Sequence, residues 1–431
     1  MSSSLFSGLT AAPADPILGV AEKFRADPRA EKVNLGVGAY LTEEGVTPIL
    51  EVVQEAEEAI TAARIPHTYI PISGLAGYGT LVQKMVFGAE SEVVLSGRAA
   101  TVQTLGGTGA LKVGMDFMHH VCGATVGATS KPTWGNHNSL LEMAGYELKG
   151  YRYYDGKEGI DFTGLVEDLK ALPAKTLVIL HACCHNPTGY DLTHDEWDEV
   201  IKICSEKGLV PFLDMAYQGF GQGLAEDAWS IRRFAESDLD FLVATSYSKS
   251  FNLYGERIGA LTVVTKNAEE AQVVLTQLKA VIRCIYSNPP AHGARIVSHV
   301  LSDAARYQHW ETELAGMRNR IKEMRGLLAE EMTKLGAKRD FSFVTRQAGM
   351  FSFTGLTPEQ VAKLASDYGV YAVKNGRICI CGLGRSESPR SCRKSVCVRK
   401  TLKRWPNTWK SSGTRFPGPL RPLTAPEFWQ F

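Results

Sequence analysis

Hydrophobic positions along the middle of the chain fall into two alternating patterns. Short, nearly continuous apolar runs occur at TLVILHACC (176–184), LVPFLDMAY (209–217), DFLVATSYS (240–248) and IGALTVVT (258–265). Runs of this length and composition predict strands buried on both faces. Between them the spacing turns helical. THDEWDEVIKICSEKG (193–208) predicts a helix with Thr193 as N-cap, Glu196 completing a capping box and Gly208 at the C-terminus. GALKVGMDFMHHV (109–121) predicts a second helix, opened by a Gly-Gly-Thr-Gly turn. From Asp303 to Gly336 the pattern is helical and charged, as in a long helix that could join two domains. Strands alternating with helices imply an α/β fold with a mainly parallel sheet covered on both faces.

Composition narrows the function classes. The chain has 431 residues, 44% of them hydrophobic, enough for two or three domains with a large core. Lysine and arginine total 47 against 46 aspartate and glutamate, so bulk charge gives no reason to expect nucleic acid or an anionic membrane as partner. No apolar run approaches the roughly 18 residues of a membrane span. The start of the chain has neither a basic leader nor a long apolar segment, so a cytoplasmic location is expected. The nine cysteines show no CxxC spacing and suit free thiols. His181 and His185 flank a strand end, and two histidines without further ligands make no metal set.

The chemistry gathers where the predicted strands end, which is where open α/β sheets bind ligands. After the first comes HNPTG, with Asn186 in a turn. The second ends at Asp214, followed by Tyr217. The third ends at Lys249, set among Ser246, Ser248 and Ser250. Burial lowers an amine pKa, as a lysine that must attack a carbonyl requires. LGGTGAL (105–111) puts Gly106, Gly107, Thr108 and Gly109 at a helix N-terminus, a natural anion site. Arg257 adds a fixed cation suited to phosphate. Singly, each feature has an ordinary structural reading: a solvated lysine, a plain turn, an N-capping aspartate, and for Trp134 a core aromatic. Together they are the parts that pyridoxal phosphate needs.

With those residues in place the chain resembles the class I aminotransferases, in the group of aspartate and aromatic amino acid aminotransferases with fold-type I pyridoxal-phosphate architecture. The likeness runs from about Ala14 to Leu383 through VNLGVGAY, YIPISGL, QTLGGTGALKVG, PTWGNH, HACCHNPTG, DMAYQGF, SYSKSFNLYGERIG, YSNPPAHGARIV, GMFSFTGL and NGRICICGL. GGTGAL and CCHNPTG look more like the bacterial-type, broad-specificity subgroup than the animal aspartate enzymes. The resemblance implies that Lys249 carries the cofactor as a Schiff base and then shuttles a proton. It implies that Asp214 holds the pyridinium nitrogen protonated, that Asn186 and Tyr217 bond the phenolate oxygen, and that Trp134 stacks on the ring. Gly107, Thr108, Ser246, Ser248 and Arg257 would hold the phosphate, joined by Tyr69 of a second subunit. Arg377 would clamp the substrate α-carboxylate with Gly38 closing over it. Arg283 would reach from the partner to a side-chain carboxylate, with Ser287 and Asn288 near the same boundary. A shared site implies a homodimer.

The activity implied is amino transfer between aspartate or glutamate, with tyrosine and phenylalanine, and 2-oxo acids such as 2-oxoglutarate. A strictly aspartate-specific enzyme is the close alternative. A catalytically impaired relative is the other, because the chain's end departs from the family. Residues 384–431 carry 11 lysines and arginines against two glutamates, with six prolines. They are expected to form an unstructured basic tail in place of a closing helix. The expected division is an N-terminal arm with part of the small domain (1–39), a large cofactor domain (40–316), a small α/β domain (317–383) and the tail.

Overall fold

The structure is a computed structural model and describes residues 4–12, 17–30, 32–337, 339–384 and 396–397. Seven strands form its main sheet: β1 (Ala99–Leu105), β2 (Val126–Lys131), β3 (Glu147–Arg152), β4 (Leu177–His181), β5 (Val210–Met215), β6 (Phe241–Ser246) and β7 (Ile258–Val264). Their order is β1-β7-β6-β5-β4-β2-β3. Pairing is parallel from β6 across to β3, while β7 runs antiparallel to both of its neighbours. The four expected strands are thus β4 to β7, the first three shorter than their apolar runs by three or four residues and β7 by one.

Both faces of the sheet are dry at β4 to β7, which explains those unbroken runs. Leu177, Ile179, Phe212, Leu242 and Ala244 pack into one core. Their sequence neighbours Val178, Leu180, Leu213, Phe241 and Val243 pack into the other. Each Val, Leu, Ile or Phe among them contributes about 1.5–3 kcal/mol by burial. The helix His194–Lys207 has the expected Thr193–Glu196 capping box and ends at Gly208 in the left-handed region. The glycine-opened helix differs from expectation. It starts at Gly106, whose φ of 66° lets the chain turn directly out of β1, and its α-helical part stops at Asp116 before a π-helical turn, Phe117–Val121. It lies very close to the sheet: a Cβ at Gly114 would sit 2.6 Å from the Phe212 ring.

The long charged segment is one helix, Ala304–Lys334, N-capped by Asp303. Its buried residues Trp310, Leu314, Met317, Ile321, Met324, Leu328 and Met332 recur every three or four positions. At its end lies a second, smaller set of strands. Val33–Asn34 pairs in parallel with Val370–Tyr371, and Phe351–Phe353 pairs antiparallel with Arg377–Cys379. Leu383–Gly384 pairs with Val396–Cys397. Apart from Gly384 and those two residues, the segment expected to be an unstructured tail lies outside the described residues.

Candidate active site

Lys249 follows β6 in a turn closed by Asn252 N–H on the Lys249 carbonyl at 3.1 Å. Trp310 of the long helix anchors that turn by donating to the Ser250 carbonyl at 2.7 Å. The Lys249 Nζ lies 5.0 Å from the centre of the Tyr217 ring. Burial pushes its pKa down to about 8, although the Asp214 charge pulls it up. Tyr217 is buried, which pushes its phenol well above its ordinary value and keeps its proton on.

Asp214 is at the carboxyl end of β5, 5% exposed, in register with His181 of β4. Burial alone would raise its pKa. The His137 hydrogen bond, aided by His137, His181 and Lys249, outweighs that and holds it below the usual carboxylate value. The His137 Nε2 to Asp214 Oδ2 distance is 3.0 Å. An ionised carboxylate only accepts, so His137 Nε2 carries a proton, and its Nδ1 is hydrogen-bonded to Thr133 Oγ1 at 2.8 Å. His137 was not among the residues singled out by sequence. It lies three positions after Trp134, whose ring meets it edge-on at 5.3 Å. His181 packs between His137 (5.0 Å) and His185 (4.3 Å), and Tyr153 stacks on His185 at 4.0 Å.

The anion site forms where β1 turns into the helix Gly106–Asp116. A Cβ at Gly106 would stand 2.9 Å from the Arg257 guanidinium, and one at Gly107 would stand 3.2 Å from the Ser246 Cβ. Thr108, partly buried, follows in the first turn. Arg257 donates to the Tyr254 carbonyl at 3.2 Å and makes a long contact with Ser248 Oγ at 3.5 Å. Both are neutral oxygens, so neither neutralises its charge. The guanidinium packs against Gly106 at the start of this helix, whose first N–H groups have no intrahelical acceptor.

Arg377 is 3% exposed, and its charge acts on Lys249. It donates to Asn186 Oδ1 and to the Gly36 carbonyl, each at 3.0 Å, and its buried Nε has no partner among the described residues. Its guanidinium lies 4.0 Å from the centre of the Phe351 ring, which also meets Tyr217 edge-on at 5.7 Å. Gly38 is needed beside it, because a Cβ there would stand 2.9 Å from Phe351 Cζ. Phe351 is a second residue that sequence reasoning missed. Two expected site residues stand apart from this group. Tyr69 is 93% exposed, and Arg283 is exposed at the end of the helix Ala268–Ile285, donating to Ser287 Oγ. Ser287 Oγ donates to Asn288 Oδ1 at 3.0 Å.

An amine after one strand, a buried carboxylate on the next and a glycine-lined anion cradle define an α/β enzyme built for pyridoxal phosphate. The chain belongs to the family described as aminotransferase class I and II, whose profile matches residues 30–394. It is 53% identical to an aspartate aminotransferase of Pseudomonas aeruginosa over 89% of this chain and 96% of that one. It is 45% identical to the aromatic-amino-acid aminotransferase of Escherichia coli, over 91% and 100%. Among solved structures it is similar to the aromatic-amino-acid aminotransferase from Burkholderia pseudomallei covalently bound to pyridoxal phosphate, with a TM-score of 0.88 and 47% identity, covering 93% of this chain and 98% of that one. The protein is therefore a pyridoxal-phosphate-dependent aminotransferase of fold-type I, transferring amino groups between amino acids and 2-oxo acids. The donor set fits that cofactor: the Gly106–Gly107 gap and the unneutralised Arg257 suit a phosphate, and the ionised Asp214 suits a protonated ring nitrogen.

Proposed function

We propose that this aminotransferase accepts aspartate and glutamate together with tyrosine and phenylalanine, with 2-oxoglutarate as amino acceptor. When bound, pyridoxal phosphate supplies an electron sink for the negative charge left at the substrate Cα. Gly107, Thr108, Ser246, Ser248 and Arg257 hold its phosphate, and Trp134 covers its ring. Asp214 stays ionised and keeps the ring nitrogen protonated. Tyr217 retains its proton and donates to the phenolate oxygen. Asn186 does the same through Nδ2, because its Oδ1 is engaged by Arg377. Lys249, depressed to about 8, reaches the neutral form that takes the proton from the substrate Cα. Arg377 receives the α-carboxylate common to every substrate, with Gly38 closing beside it.

The observation that carries this reading is the Arg377 guanidinium. It is buried and, among the described residues, has an unpartnered Nε and is held by two neutral oxygens rather than a carboxylate. Arg283 then reads the second carboxylate of a dicarboxylic substrate, and its exposed position suits a residue offered across a twofold interface. The exposed Tyr69 suits the same arrangement, so we take the active form as a cytoplasmic homodimer. No described helix is long and apolar enough to cross a membrane. The small domain would comprise residues 317–383 with the N-terminal arm, and the large domain residues 40–316. Steady-state transamination with aspartate, tyrosine and phenylalanine tests the range. Broad specificity predicts aromatic kcat/KM values within roughly 100-fold of aspartate. Turnover of aspartate and glutamate alone would establish the strict alternative.

A further inference from the structure

We propose that Tyr254 is a positioning residue that ties the anion cradle to the loop backing Arg377. The inference rests on the reading above, in which Arg257 holds the cofactor phosphate and Arg377 the α-carboxylate. Tyr254 touches both ends of the site without belonging to either. Its carbonyl accepts from Arg257 at 3.2 Å. Its hydroxyl accepts the backbone N–H of Tyr40 at 2.9 Å, from a residue 214 positions away.

The segment from Gly36 to Tyr40 needs that second anchor. Its first residue is fixed by the strand before it, where Leu35 N–H donates to the Tyr371 carbonyl at 2.8 Å, and by Gly36 N–H on Asn34 Oδ1 at 2.9 Å. The Gly36 carbonyl holds Arg377, and Gly38 fits against Phe351, the ring beneath the same guanidinium. At the far end Tyr40 is buried, and its amide is held by the Tyr254 hydroxyl. Without the hydroxyl the buried amide loses its acceptor, and the far end of the loop keeps only the long Cys379 thiol contact to the Ala39 carbonyl (3.7 Å) and the Arg320 bond to the next carbonyl, Leu41 (3.0 Å). The loss falls on Gly36 and Gly38, hence on Arg377, rather than on the phosphate cradle, which keeps the Tyr254 carbonyl.

Tyr254→Phe tests this, because it removes the hydroxyl and keeps the ring. In the holoenzyme the KM values for both amino acid and 2-oxo acid should rise about three- to tenfold, the worth of one such hydrogen bond. Cofactor affinity should stay unchanged and kcat should change by less than about twofold, as expected when substrate binding alone is weakened. Hydrogen exchange should quicken in a peptide spanning residues 36–41 and not in one spanning 257–264. Unchanged KM values, or a fall in cofactor affinity that matches the rise in KM, would overturn the inference. Unchanged exchange at 36–41 would do the same. Arg377→Ala, assayed alongside, separates the two readings. If it leaves both KM values alone, the assignment of the clamp is wrong; if it raises them while Tyr254→Phe does not, only the role of Tyr254 fails.

Discussion

Arg377 and Asn186 are 191 residues apart in sequence and are joined by a hydrogen bond of 3.0 Å. The bond links the small strand pair at Arg377–Cys379 to the turn after β4 of the main sheet. It aims a cation and an amide at one space. A second bond across the same boundary, from Ala348 N–H to the Gly189 carbonyl at 2.6 Å, holds the turn and the strand leading to Phe351 together.

The two arginines should separate by substrate. Arg283→Ala should reduce kcat/KM for aspartate about ten- to a hundredfold and leave tyrosine nearly unchanged, since one charge-assisted pair is worth about 1.5–3 kcal/mol. Arg377→Ala should harm both alike. Equal loss on both substrates in the Arg283 variant would show that it does not read the side-chain carboxylate.

Lys249 reactivity should follow the charges around it. In the apoenzyme, labelling of Lys249 by an amine-specific reagent should rise with pH through a midpoint near 8. The Asp214 charge raises that value and the Arg257 charge lowers it. Asp214→Asn should therefore move the midpoint down and Arg257→Gln should move it up. A midpoint that ignores both substitutions would mean that neither charge sets it.

Acid should destabilise the protein through its buried imidazoles. Burial, with His137, pushes His181 down to about 3, and burial with the neighbouring histidines pushes His185 well below its usual value. Unfolded, each titrates near 6.5. Between these values the unfolded chain binds more protons, so stability is full above about pH 6.5 and is lost as pH falls, by about 1.4 kcal/mol per imidazole per pH unit. Asp191 opposes this between about 4 and 6, because burial raises its carboxyl to about 6 and the folded state then binds the extra proton. Both ring nitrogens of His181 have no hydrogen-bond partner among the described residues, so His181→Phe should flatten the pH dependence of the urea midpoint by about one proton without losing a hydrogen bond. An unchanged slope would place the acid sensitivity elsewhere.

Arg325 should be a stability residue out of proportion to its distance from the chemistry. It is 2% exposed and donates to the carbonyls of Val344 (2.9 Å), Gly349 (2.8 Å) and Phe351 (2.6 Å) and to Ser352 Oγ (2.6 Å). Arg325→Met leaves those oxygens buried and unpaired, at a cost of about 3–5 kcal/mol by urea unfolding. A cost below about 1 kcal/mol would mean that water replaces the guanidinium.

The sequence was legible where burial is complete and chemistry follows a strand. Lys249, Asp214 and Asn186 each come just after an apolar run, so strand ends could be read and their polar residues compared. The strands β1, β2 and β3 did not stand out. In β2 (VGATSK) small residues are required rather than large ones, because a Cβ at Gly127 would meet Leu141 of the covering helix at 2.6 Å. Strand β3 (ELKGYR) lies at the sheet edge, where Glu147 and Arg152 are exposed. His137 was missed for a different reason. It sits inside a helix, and nothing local reveals that its face turns toward Asp214, 77 residues on. Phe351 reads as an ordinary strand aromatic until the fold brings Arg377 over it.

The central claim is that Lys249 is the residue to which the cofactor attaches. Borohydride reduction of the purified holoenzyme, followed by peptide mapping, tests it most directly. The predicted result is loss of the visible cofactor absorption and a stable pyridoxyl label on Lys249 alone, absent from a Lys249→Ala variant whose turnover falls by several orders of magnitude. A label on another lysine, or full activity without Lys249, would contradict it.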